Sequence, residues 1–284
     1  MSDTFRAACV QMRTGTDISE NLRSAEALIR EAHGRGAAFI ATPEVTVLFE
    51  AETERLFSQV HTEEDDPSLR RLRALAQELG VWLLIGSMAI RVGDRQCANR
   101  SILIGPGGQV VATYDKIHMF DVDLPNGETY RESRNFRRGE RAVLADLPWG
   151  KLGLSVCYDL RFPQLYRALA KAGASFLTIP AAFTHTTGMA HWHVLQRARA
   201  IETGCYVIAP AQGGQHANGR HTFGHSLVVA PWGEVIAEAD GAEPCVITAD
   251  IDPRRVVEAR GRVPALTHDK PIQLSPDVAP GPHA

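Results

Sequence analysis

The punctuation between apolar runs constrains this fold most. Gly105-Pro106-Gly107-Gly108, Pro148-Trp149-Gly150 and Pro231-Trp232-Gly233 each separate two strand-like runs by only a few residues. Such gaps read as hairpin turns, which make neighbouring strands antiparallel. Other runs are separated by stretches of helical periodicity. Ala25, Leu28, Ile29 and Ala32 form one apolar stripe, with Asp17 or Ser19 as its cap, and residues 66–79 and 190–203 supply further helices. Strands are expected at about 5–12, 37–42, 81–90, 97–104, 109–115, 141–147, 151–157, 174–180, 205–211, 225–230, 234–239 and 245–251. Hairpins mixed with helical connections predict an α/β fold with mixed sheets inside and helices outside.

A chain of 284 residues, 44% of them hydrophobic, buries a large core, and no linker divides it. One domain is expected over 1–271, followed by an extended, proline-rich C-terminal tail over 272–284. Lys plus Arg (30) nearly balances Asp plus Glu (33) without a basic block, so the expected partner is a small molecule and not a nucleic acid. The apolar runs fall far short of the ~18 residues that span a bilayer, and a cytoplasmic protein without membrane partners is expected. Cys9, Cys97, Cys157, Cys205 and Cys245 are odd in number and contain no CxxC pair, which argues against a disulfide framework or a thiolate zinc site.

One of the five stands apart. In GLSVCYDLRFPQLYRALA, residues 153–170, Cys157 sits where a buried strand gives way to a helix that starts near Phe162 and Pro163. A thiol attacks only as thiolate, so it needs a base or a positive charge nearby. Two other apolar runs end in charge: AFIATPEV reaches Glu44, and VVATYDKIHMF reaches Lys116. Strand ends that carry Glu, Lys and Cys suit the rim of a pocket. The remaining cysteines read as small core hydrophobes.

The order TPE, YDKIHMF, SVCYDLRFP resembles the nitrilase, or carbon-nitrogen hydrolase, superfamily, as do AACVQM near the start and GHSLVVAPWGEV later on. The resemblance runs from about Phe5 to Pro271. It implies a four-layer α-β-β-α sandwich that forms a homodimer or larger homo-oligomer through helices after Cys157 and near 190–203. It also implies a Glu44, Lys116, Cys157 triad without metal or organic cofactor. Glu44 would be the general base, Cys157 the nucleophile, and Lys116 with the Tyr158 backbone N–H the oxyanion donors. YRESRNFRRG aligns Glu132 with a second glutamate of the family, near Lys116; Glu128 and Glu140 read as surface carboxylates.

CYDLRFP departs from the Cys-Trp-Glu pattern of true nitrilases and resembles the amidase branches. The segment from PAAF to PWG looks most like deaminated glutathione amidase, with omega-amidase acting on α-ketoglutaramate and N-carbamoyl amino acid amidohydrolase as neighbours. These substrates are anionic, and Arg161 is the expected carboxylate partner, against a structural ion pair with Asp159. Six histidines lie between 185 and 225, but residues two apart on a helix diverge, so His191 and His193 make a poor metal pair. A cysteine-histidine hydrolase would leave Glu44 and Lys116 unexplained. A catalytically silent binding module of the same fold is the reading from a different class.

Overall fold

The computed structural model describes residues 4–124 and 127–272. Among them, two mixed sheets carry the fold. The first runs in spatial order Cys245–Ile251, Phe5–Gln11, Phe39–Ala41, Trp82–Gly93, Gln96–Ile104, Val110–Asp115, with the short Phe136–Arg137 beside Gln96–Ile104. The second runs Val235–Glu238, Leu227–Val229, Tyr206–Ala209, Ala174–Thr178, Gly150–Leu154, Leu144–Leu147. All three Gly/Pro turns join antiparallel neighbours, as expected. Parallel neighbours are reached through helices: α1 (Ile18–Gly34), then α2 (Thr53–Gln59) and α3 (Pro67–Leu79) in the first sheet, α4 (Pro163–Lys171) and α5 (His185–Thr203) in the second. A last helix, α6 (Arg254–Arg262), follows the final strand.

Side-chain alternation along Phe5–Gln11 explains the layers. Phe5, Ala7 and Cys9 join a core with Leu152, Leu154, Phe176 and Tyr206 of the second sheet. Ala8 and Val10 point the other way, into a core with Ala25 and Ile29 of α1 and Leu72 and Leu75 of α3. The second sheet's outer side is covered by α4 and α5, which bury Leu165, Leu169, Trp192 and Ala200. This is the expected α-β-β-α sandwich. Caps hold the helix starts: Asp17 accepts from Glu20 N, Asp66 from Leu69 N and Thr184 from Thr187 N.

Helix α5 begins at His185, five residues before the expected start. Its first turns mix His, Thr and Gly, which hide the apolar stripe. Helices α2 and α6 were not expected because polar and charged residues dominate both. Two short ribbons, Asp121–Asp123 with Thr129–Arg131 and Gly213–Gln215 with His221–Phe223, also escape the periodicity argument. The expected C-terminal tail lies outside the described residues from 273 on. Among the described residues no helix is long and apolar enough to cross a membrane.

Candidate active site

Four of the predicted residues meet beyond the strand ends. Glu44 follows Phe39–Ala41, Lys116 follows Val110–Asp115, Cys157 follows Gly150–Leu154, and Glu132 opens a short 3-10 turn. Lys116 Nζ donates to Glu44 Oε1 at 2.9 Å and to the two Glu132 oxygens at 3.0 and 2.9 Å. Lys116 is only 1% exposed. Glu44 Oε2 accepts from the Ala182 N–H at 2.8 Å, and the Cys157 thiol lines the same cavity as this carboxylate. Glu132 is fixed in turn by the Phe120 N–H at 2.7 Å.

The backbone is shaped to deliver these groups. Val45 (φ 54°) and Cys157 (φ 50°) both adopt the left-handed region that non-glycine residues rarely occupy. Both sit at or beside the reacting side chains, where strain is sustained by surrounding bonds. Val45 N donates to Ser87 Oγ at 2.9 Å, and Cys157 N donates to Pro180 O at 2.9 Å. Gly86 lets the Glu44 loop pass, since a Cβ there would lie 2.1 Å from Thr42 O and 2.5 Å from the Pro43 carbonyl.

Charge balance sets the resting protonation. Burial alone favours a neutral Glu44, but Lys116, the thiol and the Ala182 N–H outweigh it and hold the carboxyl below its usual range. Burial likewise opposes charge on Lys116, yet Glu132 and then Glu44 keep the ammonium well above its ordinary value. For Cys157, burial and then the Glu44 charge push the thiol well above its ordinary value, against the pull of Lys116. The resting nucleophile is therefore a neutral thiol beside a carboxylate ready to take its proton.

Two residues that sequence reasoning missed complete the arrangement. Asn99 Nδ2 bridges the carboxylates, 2.9 Å from Glu44 Oε1 and 3.0 Å from Glu132 Oε1, while its Oδ1 is buried without a hydrogen-bond partner in the described protein. Asp159, fully buried, accepts from Tyr114 Oη at 2.7 Å, Val156 N at 2.8 Å and His118 N at 3.1 Å, and lies 2.7 Å from His118 Nδ1. It ties the Lys116 segment to the Cys157 segment. A carboxylate two residues after the cysteine in an apolar setting was its sequence signal.

The cluster opens into a cavity of about 440 Å³. Glu44, Lys116, Glu132, Cys157 and Tyr158 line it, and Arg220 stands on its wall, stacked over Tyr130 at 4.7 Å and Phe49 at 5.2 Å. Arg161 borders the lining residues Tyr158 and Phe183. It lies outside the described cavity lining, over Phe183 at 5.2 Å, with Nη1 3.2 Å from His191 Nδ1. Asp159 is not its partner either, because that carboxylate is fully engaged by Tyr114, His118 and Val156. Glu128 bonds the Tyr130 hydroxyl at 2.7 Å and is exposed. Cys9, Cys97 and Cys205 are buried packing residues, and Cys245 is partly buried.

The chain is similar to known proteins along most of its length. The carbon-nitrogen hydrolase family model matches residues 6–261. A deaminated glutathione amidase from Synechocystis is 42% identical over 268 residues, covering 93% of this chain and 97% of that one. An omega-amidase from Bos taurus is 34% identical, covering 94% and 95% respectively. Among solved structures, the C. elegans NitFhit protein superposes with a TM-score of 0.88 at 32% identity; the match covers 95% of this chain and 66% of that longer one.

Proposed function

The chain belongs to the carbon-nitrogen hydrolase family, and from that premise we propose that it acts as a deaminated glutathione amidase through Cys157, Glu44, Lys116 and Glu132. It is an amidohydrolase of carbon-nitrogen bonds other than peptide bonds. The observation that carries the residue assignment is the buried Glu44 carboxylate, which accepts from the Lys116 ammonium at 2.9 Å and lines one cavity with Cys157. Glu44 takes the Cys157 proton as sulfur attacks the amide carbonyl. Lys116 and the Tyr158 N–H, at the start of the Cys157–Arg161 turn, stabilise the oxyanion. Glu44 then returns the proton to the departing amine and activates the water that hydrolyses the acyl-thioester. Glu132 holds the Lys116 ammonium in place through two hydrogen bonds.

The substrate's carboxylate pairs with Arg220 in this reading, because Arg220 lines the cavity and Arg161 does not. Among the described residues Arg220 has no carboxylate within ion-pair distance, and its aromatic stack holds the guanidinium plane in place. A cavity of about 440 Å³ suits a peptide-like substrate that releases cysteinylglycine better than the five-carbon α-ketoglutaramate. The subunit partner is a second copy of the chain, docked on α5: Met189, Val194 and Ile201 are exposed apolar residues on that helix. Five free thiols fit a reducing, cytoplasmic setting.

An amine- and ammonia-release screen over deaminated glutathione, α-ketoglutaramate, N-carbamoyl amino acids and a simple nitrile tests the assignment. Highest kcat/KM on deaminated glutathione, with Arg220→Ala raising KM more than it lowers kcat, is the expected result. Preference for α-ketoglutaramate, or a KM unmoved by Arg220→Ala, would overturn the substrate reading. Loss of no activity in Cys157→Ala would overturn the residue assignment.

A further inference from the structure

The histidine-rich segment contains a grouping that the amidase chemistry does not use. His191 and His193 part company on α5: His191 meets Arg161, whereas His193 Nε2 lies 2.7 Å from Glu238 Oε1 on the strand Val235–Glu238. His225, reached from the ribbon strand His221–Phe223, brings its Nδ1 to 3.0 Å from that same oxygen. The three ligand atoms lie within 4.8 Å of one another. In the single chain each side chain is roughly one-third exposed, at 37%, 30% and 35% for His193, His225 and Glu238, so an ion can reach them before a second copy docks on α5.

The backbone is strained to present this group. His225 has φ 54°, one of three non-glycine residues in the left-handed region among those described. The other two, Val45 and Cys157, are at the amidase centre. His225 is held there by its own N–H, which donates to Gly241 O at 2.9 Å, and by the Trp192 indole N–H, which donates to His225 O at 2.8 Å. Phe223 fixes the rings from below, stacked on His225 at 4.5 Å and edge-on to His193 at 5.9 Å. Strain that is maintained around a polar cluster points to a use for the cluster.

We propose that His193, His225 and Glu238 form a binding site for a divalent transition-metal ion of the Zn²⁺ class, separate from the amidase centre. Two imidazoles and one carboxylate are a donor set that Zn²⁺ accepts, with bonds of about 2.0–2.2 Å and a fourth position left to water. Tetrahedral bonds of that length set the donors about 3.3–3.5 Å apart. The present 2.7 and 3.0 Å separations need to widen by roughly half an ångström, which half-exposed side chains permit. On binding, the ion displaces the protons that His193 Nε2 and His225 Nδ1 present to Glu238 Oε1, and each imidazole then carries its one proton on the nitrogen facing away from the ion. The ion would join α5 to the loop after His221–Phe223 and to the second sheet's edge, fastening the helix whose start carries Thr184 and Thr187 of the cavity wall.

The test uses the full chain, freed of metal by chelator dialysis, in wild-type form and in a Cys157→Ser background that removes the reactive thiol. Zn²⁺ affinity is read by competition with a chromophoric chelator, and Co²⁺ substitution is read by its visible absorption. One ion per chain is expected in both backgrounds, with four-coordinate Co²⁺ bands and a higher melting temperature. His193→Ala and Glu238→Gln should each weaken affinity at least about 10-fold. Their metal-free melting temperatures, read as the control for folding, should stay within about 2 °C of wild type for such half-exposed changes. Absent binding, affinity indifferent to both variants, or binding lost only with Cys157→Ser would each overturn the proposal.

Discussion

Glu44→Gln separates the chemical role of this carboxylate from its structural one. The amide keeps the shape but cannot take a proton. With its oxygen toward Lys116 Nζ and Asn99 Nδ2, both 2.9 Å away, its NH₂ faces the Ala182 N–H at 2.8 Å, donor against donor. The reverse orientation sets the NH₂ against Lys116. Either way at least one buried donor loses its Glu44 acceptor, which costs about 1–3 kcal/mol. Lys116 keeps Glu132, so no uncompensated charge remains. For a chain of this size that predicts a melting temperature lower by roughly 2–4 °C per kcal/mol. The loss in rate is larger. Removing a positioned base costs about 10²- to 10⁴-fold, or about 3–5 kcal/mol in the barrier. Steady-state amine release and a thermal melt on the same preparation check both. A folded variant that retains more than about one-tenth of wild-type kcat would refute Glu44 as the base.

Three further outcomes follow from the same geometry. Glu44 is held below the usual carboxylate value near 4.5 and Lys116 above the usual ammonium value near 10.5. The Glu44 contribution to stability is present above the unfolded value and lost as pH falls through the folded one; that of Lys116 is present below its unfolded value and lost as pH rises through the folded one. Melts from neutral pH into acid should therefore fall more steeply for wild type than for Glu44→Gln, and parallel curves would contradict this. Asp159→Asn leaves two or more of its donors facing an NH₂, a cost of roughly 2–6 kcal/mol, and should lower both melting temperature and kcat; retention of both would show that Asp159 does not tie the Lys116 and Cys157 segments together. Gly86→Ala drives a Cβ into the backbone at Thr42 and Pro43, so a loss of about 3 kcal/mol or more in denaturant unfolding is expected, whereas wild-type stability would mean that the Glu44 loop is free to move.

The strand pattern was legible because short, continuously buried apolar runs and Gly/Pro turns are local. All twelve expected strands are present, with boundaries shifted by a few residues, and of the two candidate caps, Asp17 and Ser19, it is Asp17 that caps α1. Helices α2 and α6 were illegible because their polar sequences bury only a few residues each, Leu56 and Phe57 in one and Val256 and Ala259 in the other. Glu44, Lys116 and Cys157 were readable as charge or thiol at the ends of apolar runs. Asn99 was not, since it lies inside the strand Gln96–Ile104 and its role exists only once Glu44 and Glu132 arrive from elsewhere. Arg161 was expected from its proximity along the chain to Cys157, which does not say which way the turn aims a side chain; its guanidinium meets His191 on α5 and lies over Phe183 and Tyr158.

The central claim is that Cys157 carries the acyl group, relieved of its proton by Glu44. Acid-quenched mass spectrometry of the enzyme during turnover of deaminated glutathione, followed by peptide mapping, tests it most directly. An adduct of the acyl fragment's mass on Cys157, absent in Cys157→Ala together with all amine release, is predicted. Turnover that persists in Cys157→Ala, or an adduct mapped to another residue, would contradict the account.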